Sequence, residues 1–381
     1  MAEKNRVFVI GYDLCEDFTQ ISYFYSPMEE PESVSTSLNE KKFFIPTETI
    51  KREGIWLVDK GFLEKTLRMV AGYQSLSEIT GLMVSLEECS KEQIDYITGV
   101  FAEIGIPKEK IAFQSHSESC IYYALSQKKE FIVNDIGFFE FTKKSFIYRL
   151  LQVRKEGKQP VVQIIEKDFS NIFSAGKLKD KEGRETSDKL FLEIIHKEFE
   201  RKNIGVVYLI GEGFYQEEWA IESLKFLCNH RRVFKGSNLY TKGATYAVFD
   251  QWTNRVFEDY SLICSGRTPW NISLNVLHKE EAKHVMLAKA GSKWYEIEYE
   301  LECILDDIQT LEIILTSILT KEKRIEEIPL RELPYRSNKM TRISINARFL
   351  EEEKVVIKVK DLGFGELIMG SGVIIKREIF L

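Results

Sequence analysis

Apolar and polar residues follow two different rhythms along this chain, and the change falls between residues 260 and 272. At the start, Val7-Phe8-Val9-Ile10 leads into Gly11 and then Asp13. A short polar turn, Cys15-Glu16-Asp17, is followed by a second run rich in β-formers from Phe18 to Phe24. The pattern predicts two strands joined by a tight turn, with a carboxylate closing the first. Residues 25–40, with Ser26-Pro27 and Glu29-Glu30-Pro31, predict an irregular connection. An extended piece over 42–46, a short strand over 54–58 and a helix over 62–71 come next. An α/β rhythm then sets in, with strands over 79–85 and 111–113. The helix over 91–104 carries Ile94, Ile97, Val100, Phe101 and Ile104 on one face, with Ser90 as its N-cap and Gly105 as its stop. A further helix is expected over 117–126. A strand over 130–137 is expected to end on Asp135 and Gly137, with further strands over 138–142 and 144–153. Residues 155–159 and 177–187 read as polar surface. A helix over 186–202, a buried strand over 205–210 ending in the turn Gly211-Glu212-Gly213, a helix over 217–228, a short strand at Val233-Phe234 and a helix over 238–251 with Gly243-Ala244 at its middle complete this part.

Beyond it strand patterns dominate. Candidates are 283–289, 293–305, 310–319, 341–349, 354–360 and 367–379. Alternation is plain in Thr341-Arg342-Ile343-Ser344-Ile345-Asn346-Ala347-Arg348-Phe349 and in Val355-Val356-Ile357-Lys358-Val359-Lys360. Turn signals lie between them at Gly291-Ser292, Asp306-Asp307, 351–353 and Gly363-Phe364-Gly365. This predicts a β-sandwich of roughly 110 residues, an ordinary domain size.

The totals narrow the function classes. A length of 381 residues leaves room for two or three domains with real cores. A net charge of −6 argues against nucleic acid as the main partner, since phosphate contacts need a basic surface. No apolar run is long enough for a membrane span, and residues 1–6 do not read as a signal peptide. The six cysteines (Cys15, Cys89, Cys120, Cys228, Cys264, Cys303) contain no C-x-x-C pair and read as reduced thiols of a cytoplasmic protein without a zinc motif. The five histidines, His116 among them, form no H-x-x-x-H pair and read as surface or packing residues.

A strand ending near Asp and Gly, then a hairpin, occurs at Gly11-Tyr12-Asp13-Leu14 and again at Asn134-Asp135-Ile136-Gly137. The duplication suggests two related halves facing each other across a cleft. In this the chain resembles the actin and DnaK-type ATPase superfamily, whose halves each supply one phosphate loop. The order of features resembles the family as well. Residues 79–104 are placed like its strand and helix before the first crossing helix, 113–125 like that crossing helix, Leu209-Ile210-Gly211-Glu212-Gly213 like its adenosine-binding turn, and Gly243-Ala244 like the pair on its second crossing helix. Pro269-Trp270-Asn271-Ile272-Ser273-Leu274 resembles the end of the DnaK interdomain linker and the strand after it. Residues 340–365 resemble two late strands of the DnaK-type peptide-binding sandwich.

The resemblance implies a two-lobed actin-like ATPase fold over 1–262 (lobes 1–128 and 129–262), then a small all-β sandwich over 268–381. It also implies a nucleotide site at Gly11, Asp13, Thr19, Asp135, Gly137, Gly211, Gly213 and Gly243, with Asp13 and Asp135 holding Mg²⁺ of Mg-ATP through water. The loops depart from the family. The first reads Asp13-Leu14-Cys15-Glu16-Asp17 in place of Asp-Leu-Gly-Thr-Thr, and the second reads Asp135-Ile136-Gly137-Phe138-Phe139-Glu140 in place of Asp-Leu-Gly-Gly-Gly-Thr. A carboxylate about 4 Å from a phosphate charge costs roughly 4 kcal/mol at an effective dielectric near 20, and Glu16, Asp17 and Glu140 would all stand near the phosphates. Phe138, Phe139 and Phe141 are expected to pack in the core or to fill the emptied cleft. Asp13 and Asp135 also read as caps of turns or helix starts. No residue matches the family's catalytic lysine, and the chain leaves no room for a helical lid. The expectation is a degenerate DnaK-like scaffold or regulator that binds protein or extended peptide segments, with weak or no ATP turnover. The alternatives are an ATP-driven chaperone using Mg-ATP in the cleft and an actin-like assembly protein, the latter disfavoured by the C-terminal domain.

Overall fold

The computed structural model describes residues 7–36, 43–52, 55–71, 76–156, 159–173, 175–215, 219–236 and 238–381. Residues 1–6, the stretch 37–42, Gly54, residues 157–158 and Glu217, which carry parts of the expectations above, lie outside them. Two compact units divide the chain, Met1–Ser265 and Gly266–Leu381. No helix among the described residues is long and apolar enough to cross a membrane.

In the first unit, β1 (Phe8–Leu14) and β2 (Phe18–Tyr25) form the expected hairpin, closed by the Cys15 amide donating to the Phe18 carbonyl at 3.0 Å. Short strands β3 (Glu32–Ser33) and β4 (Ile45–Pro46) pair with β2, and β5 (Thr49–Arg52) and β6 (Ile55–Val58) form a separate ribbon. Then come α1 (Lys60–Ala71), β7 (Gly81–Leu86), α2 (Lys91–Ile104), β8 (Ile111–Ser115) and α3 (His116–Leu125). Helix α2 begins where the Ser90 hydroxyl accepts the Gln93 amide at 3.2 Å and ends at Gly105, which sits at φ 105°. Its buried Ile94, Ile97, Val100 and Phe101 share one face, and full burial of such side chains contributes ~1.5–3 kcal/mol each.

The chain continues through β9 (Asp135–Phe141), β10 (Phe146–Glu156), β11 (Gln159–Asp168), α4 (Lys181–Phe199), β12 (Ile204–Ile210), α5 (Ile221–Cys228), β13 (Arg232–Gly236), α6 (Leu239–Trp252) and β14 (Ser261–Ile263). One sheet has the order β3-β2-β1-β7-β8, the other β13-β12-β9-β10-β11-β14. With β4 set aside, since it pairs with β2 off this path, the first five strands of each sheet ranked by chain order follow one scheme, 3-2-1-4-5, with antiparallel pairings among the first three and parallel pairings to the last two. The helices that follow the fifth strands cross over. From the first sheet, α3 buries Cys120, Ile121 and Ala124 against Ile136, Phe138 and Leu151 of the second. From the second sheet, α6 buries Ala244, Ala247 and Val248 against Val9 and Met83 of the first.

One strand expectation is corrected, and strands β11 and Lys323–Pro329 are not among those expected. Residues 130–134 are not a strand: Lys129–Phe131 is a 3-10 turn, and β9 begins at Asp135. The apolar Ile132-Val133 pair mimics a strand but sits in a bend, with Val133 exposed. The polar interruption at Gln163 hides β11, which pairs with β10 along its length. Helix α4 also starts earlier than its apolar face, because Asp180 caps it by accepting the Gly183 amide at 2.7 Å.

The second unit is β-rich. Strands β15 (Trp270–His278), β16 (Glu281–Ala288), β17 (Glu298–Ile304), β18 (Thr310–Ser317), β19 (Lys323–Pro329), β20 (Arg342–Glu351), β21 (Lys354–Phe364), β22 (Ile368–Met369) and β23 (Ile374–Phe380) form sheets β16-β15-β18-β19 and β17-β20-β21-β22, with β23 also on β21. Ile343, Ile345, Ala347 and Phe349 of β20 and Val355, Ile357 and Val359 of β21 are buried, as alternation demands of an inward face. The same alternation carries Asp361 inward. It is satisfied by two bonds of 2.7 Å from the Arg336 guanidinium and by the amides of Gly363 and Ser371. The Arg336 bonds hold its carboxyl well below the usual carboxylate range, outweighing burial, with the Ser371 and Gly363 bonds adding to them. An acid held down in this way stabilises the fold above its unfolded pKa of about 3.9, and that stability is lost as pH falls through the folded value. Arg336→Ala is therefore expected to lower the stability of this unit by about 3 kcal/mol at neutral pH and to flatten its acid dependence below about pH 4. Urea denaturation of the full chain at pH 7 and pH 3 checks both.

Candidate functional site

Parallel strands β1, β7 and β8 end at one edge of the first sheet, where Leu14 is level with Leu86 and Leu86 with Ser115. In open α/β sheets the carboxyl edge is where ligands bind. Alternation puts Asp13 and Cys15 on the same side of the hairpin. Helix α3 starts directly after β8, capped by the Ser115 hydroxyl, so its first residue, His116, arrives at the same edge. Asp13 is fully buried and bonds its Oδ1 to His116 Nε2 at 2.7 Å. Cys15 Sγ lies 3.7 Å from Asp13 Oδ1 and 3.7 Å from the same His116 nitrogen. Burial works to lower the His116 pKa, but the charge and hydrogen bond of Asp13, with Glu140, outweigh it and raise it. Burial and the nearby carboxylates push the Cys15 thiol up, so it is protonated.

The second hairpin, β9–β10, meets this edge through Glu140. By register Leu14 pairs with Thr19 and Phe141 with Phe146, each closing its hairpin, so Glu140 holds in β9 the position that Asp13 holds in β1. Glu140 Oε2 accepts from Arg149 Nη1 at 2.6 Å and from the Tyr240 hydroxyl at 2.7 Å. Arg149 Nε bonds Glu166 at 2.6 Å and Ser117 at 3.1 Å. Burial would raise the Glu140 pKa, but Arg149, His116 and Tyr240 hold it lowered. The Tyr240 ring stacks on His116 at 3.9 Å and 7°, which joins the two clusters. At the tips, Lys144 Nζ bonds Asp17 at 2.8 Å and Glu16 at 3.2 Å. The three side chains are a third to a half or more exposed, so each pair contributes under ~1 kcal/mol.

A cavity of about 580 Å³ opens above these groups. Cys15, His116 and Glu140 line it, with Phe18, Phe44 and Trp56 on its apolar side. Its charged lining is Glu16, Asp17, Glu87, Glu140 and Glu212 against Lys143 and Lys144, a surplus of carboxylates that disfavours a polyphosphate.

The residues expected to hold Mg-ATP do not converge. Asp135 begins β9 rather than ending it, about five residues or roughly 17 Å of strand before Glu140, and bonds Gln152 Nε2 at 2.8 Å. It therefore cannot share a metal with Asp13. Gly137 lies mid-strand, where a Cβ would meet only ordinary contacts at 3.5 Å. The Thr19 and Thr47 hydroxyls share a hydrogen bond of 2.9 Å. Gly211 and Gly213 end β12 near the cavity, but what crowds them is Phe141: a Cβ would lie 2.4 Å from its carbonyl and 2.3 Å from its ring, respectively. Gly11 and Gly243 serve helix packing, with a Cβ 2.2 Å from Thr241 O and 2.1 Å from Ser119 O. Phe138, Phe139 and Phe141 do not fill the cleft; they are fully buried on both faces of the second sheet. These residues do not fit the Mg-ATP that the resemblance implies.

His116, Cys15, Glu140 and Arg149 were not readable as a site from spacing, and the reading of His116 as a surface or packing residue gives way to a buried ion pair. Two features of the sequence, neither used above, could have shown part of it: the turn Thr142-Lys143-Lys144-Ser145, which matches Cys15–Phe18 in length, and the lone Arg149 inside the apolar run of β10. The Asp13–Cys15–His116 group offers three metal-ligand types within 4.8 Å of one another. It is not a nucleophilic triad, because Cys15 and Asp13 compete for one histidine nitrogen, whereas a triad uses both.

Residues 60–265, just over half of the chain, match a family of unknown function (DUF5716, C-terminal), and the chain belongs to that family. Residues 267–381 match a domain of unknown function, DUF8552. The two matches meet where the compact units meet. His116, Glu140 and Arg149 fall inside the first match, while Asp13 and Cys15 precede it. No curated protein matches the chain.

Arg149→Ala is expected to destabilise the first unit by about 4 kcal/mol by stranding a buried Glu140 charge. Glu140→Gln in the same chain is expected to restore part of that loss. A double-mutant cycle by urea denaturation measures the coupling, and additive losses would show that the pair is not a unit.

Proposed function

We propose that this chain is a divergent DnaK-like protein with an actin-like two-lobed first unit, acting in the cytoplasm as a scaffold or regulator that binds protein or extended peptide segments, with weak or no ATP turnover. The repeated 3-2-1-4-5 order, the exchange of crossing helices and the close packing at Gly11 and Gly243 support the actin-like reading. Six free cysteines support a reducing compartment. Leu367 and Met369 around β22 and Ile374 on β23 are 82%, 87% and 55% exposed, and β23, which pairs with β21 alone among the described strands, offers an outer edge that supports strand addition by an extended segment.

The single observation that carries the loss of nucleotide function is the His116–Asp13 pair. In a working first loop the aspartate faces hydrated metal and phosphate. Here an imidazole from α3 stands on it, and the second hairpin adds the carboxylate of Glu140. Calorimetry of the full chain with Mg-ATP is expected to show no binding up to about 1 mM, a floor near −4 kcal/mol. Micromolar binding that disappears in Asp13→Ala would overturn the proposal in favour of an ATP-driven chaperone.

A further inference from the structure

We propose that Asp13, Cys15 and His116 form a zinc site at the floor of the cavity, open to it at a fourth position. Thiolate, imidazole and carboxylate are the three side-chain donors that zinc takes, and three protein ligands plus one open position is the arrangement of a catalytic rather than a closed structural site. Zinc bonds of about 2.3 Å to sulfur and about 2.0–2.2 Å to nitrogen and oxygen place the donors of a tetrahedron about 3.4–3.6 Å apart. The two distances to Cys15 Sγ are 3.7 Å each, already at that spacing. The third, His116 Nε2 to Asp13 Oδ1, is 2.7 Å and must open by roughly 0.7 Å, the change made when an ion replaces a hydrogen bond.

A second observation points the same way. Asp13 Oδ2 and His116 Nδ1 are buried and have no hydrogen-bond partner among the described residues. A buried polar atom left so costs about 1–3 kcal/mol. An ion that Asp13 chelates through both oxygens gives Oδ2 a partner; His116 Nδ1, the ring nitrogen not used as a ligand, is left as it is. The surroundings suit a cation: Cys15 and His116 line the cavity, which gives an ion a way in and leaves the fourth position to water, and carboxylates outnumber lysines around it. The ring of His116 is held in plane by Tyr240, which is itself fixed by Glu140 and Arg149, as outer groups orient ligands in metal sites. On binding, the Cys15 thiol and the His116–Asp13 bond each give up a proton to solvent, and the ion takes their place. The inference does not depend on the fate of nucleotide binding or on the second unit.

The test uses the full chain stripped of metal with a chelator. Zinc titrated by calorimetry is expected to bind at one ion per chain, and cobalt in its place is expected to give the near-ultraviolet absorption of a thiolate–cobalt bond with the visible bands of a tetrahedral ion. Cys15→Ser and His116→Gln are each expected to weaken zinc by ~100-fold or more, beyond the roughly 10–100-fold that loss of an outer partner costs. Cys228→Ser, at the exposed thiol, is expected to leave binding unchanged. Absence of zinc binding by the wild type, a smaller loss in either ligand variant, or loss on Cys228→Ser overturns the site. If a ligand variant fails to fold, the wild-type cobalt spectrum decides: without a thiolate band the proposal falls.

Discussion

Helix α6 lies so close to its neighbours that no side chain fits between them at two points. At Gly11 the backbone of β1 meets the Thr241 carbonyl, and at Gly243 the backbone of α6 meets the Ser119 carbonyl of α3. Any Cβ at either position would overlap main-chain atoms, which cannot swing away as a side-chain tip can. This double contact ties the first sheet, α6 and α3 into one packed layer. It also sets the height of Tyr240, the second residue of α6, and so brings its ring flat onto His116 and its hydroxyl to Glu140. The site above the sheets is thus a consequence of helix packing beneath it.

The charges of that site follow from burial. Asp13, His116, Glu140 and Arg149 are each nine-tenths or more buried, and an ionised group there persists only with a partner. Their arrangement answers this with two opposite-sign pairs, Asp13–His116 and Glu140–Arg149, bridged by Tyr240. Each hairpin presents a carboxylate at the same register position, and each carboxylate has recruited a cation from a neighbouring element: His116 from α3, Arg149 from β10. A nucleotide phosphate would meet cations already paired with carboxylates and would face the further carboxylates of the cavity. A metal cation at Asp13, Cys15 and His116 would have only to replace two protons, one from the Cys15 thiol and one from the His116–Asp13 bond. The same geometry therefore disfavours one ligand and favours the other.

Much of the architecture was readable from local pattern. Alternation in 342–364, the capped helix 91–104 and the first hairpin are periodic over whole elements, and period reports which face is buried. Even there, single positions misled. Ile132-Val133 looked like strand and is bend, because two apolar residues are too few to define a period. Asp135 looked like the end of a strand and is its beginning, which placed the second hairpin five residues too early and gave the role of Glu140 to the wrong carboxylate. Strand β11 went unseen because its pairing with β10, not its own alternation, holds it in place.

By itself the sequence determined the class of structure, an α/β part followed by a β-rich part, and the presence of carboxylates where a phosphate loop would need small residues. These are properties of neighbours along the chain, carried by hydrogen-bond geometry and side-chain period. The tertiary structure alone decided what those carboxylates face. Asp13 and His116 are separated by about a hundred positions and come within 2.7 Å only because β8 lies two strands from β1 and α3 starts at its end. No spacing in the sequence encodes that distance, since it is set by strand order and by two glycines that let helices touch.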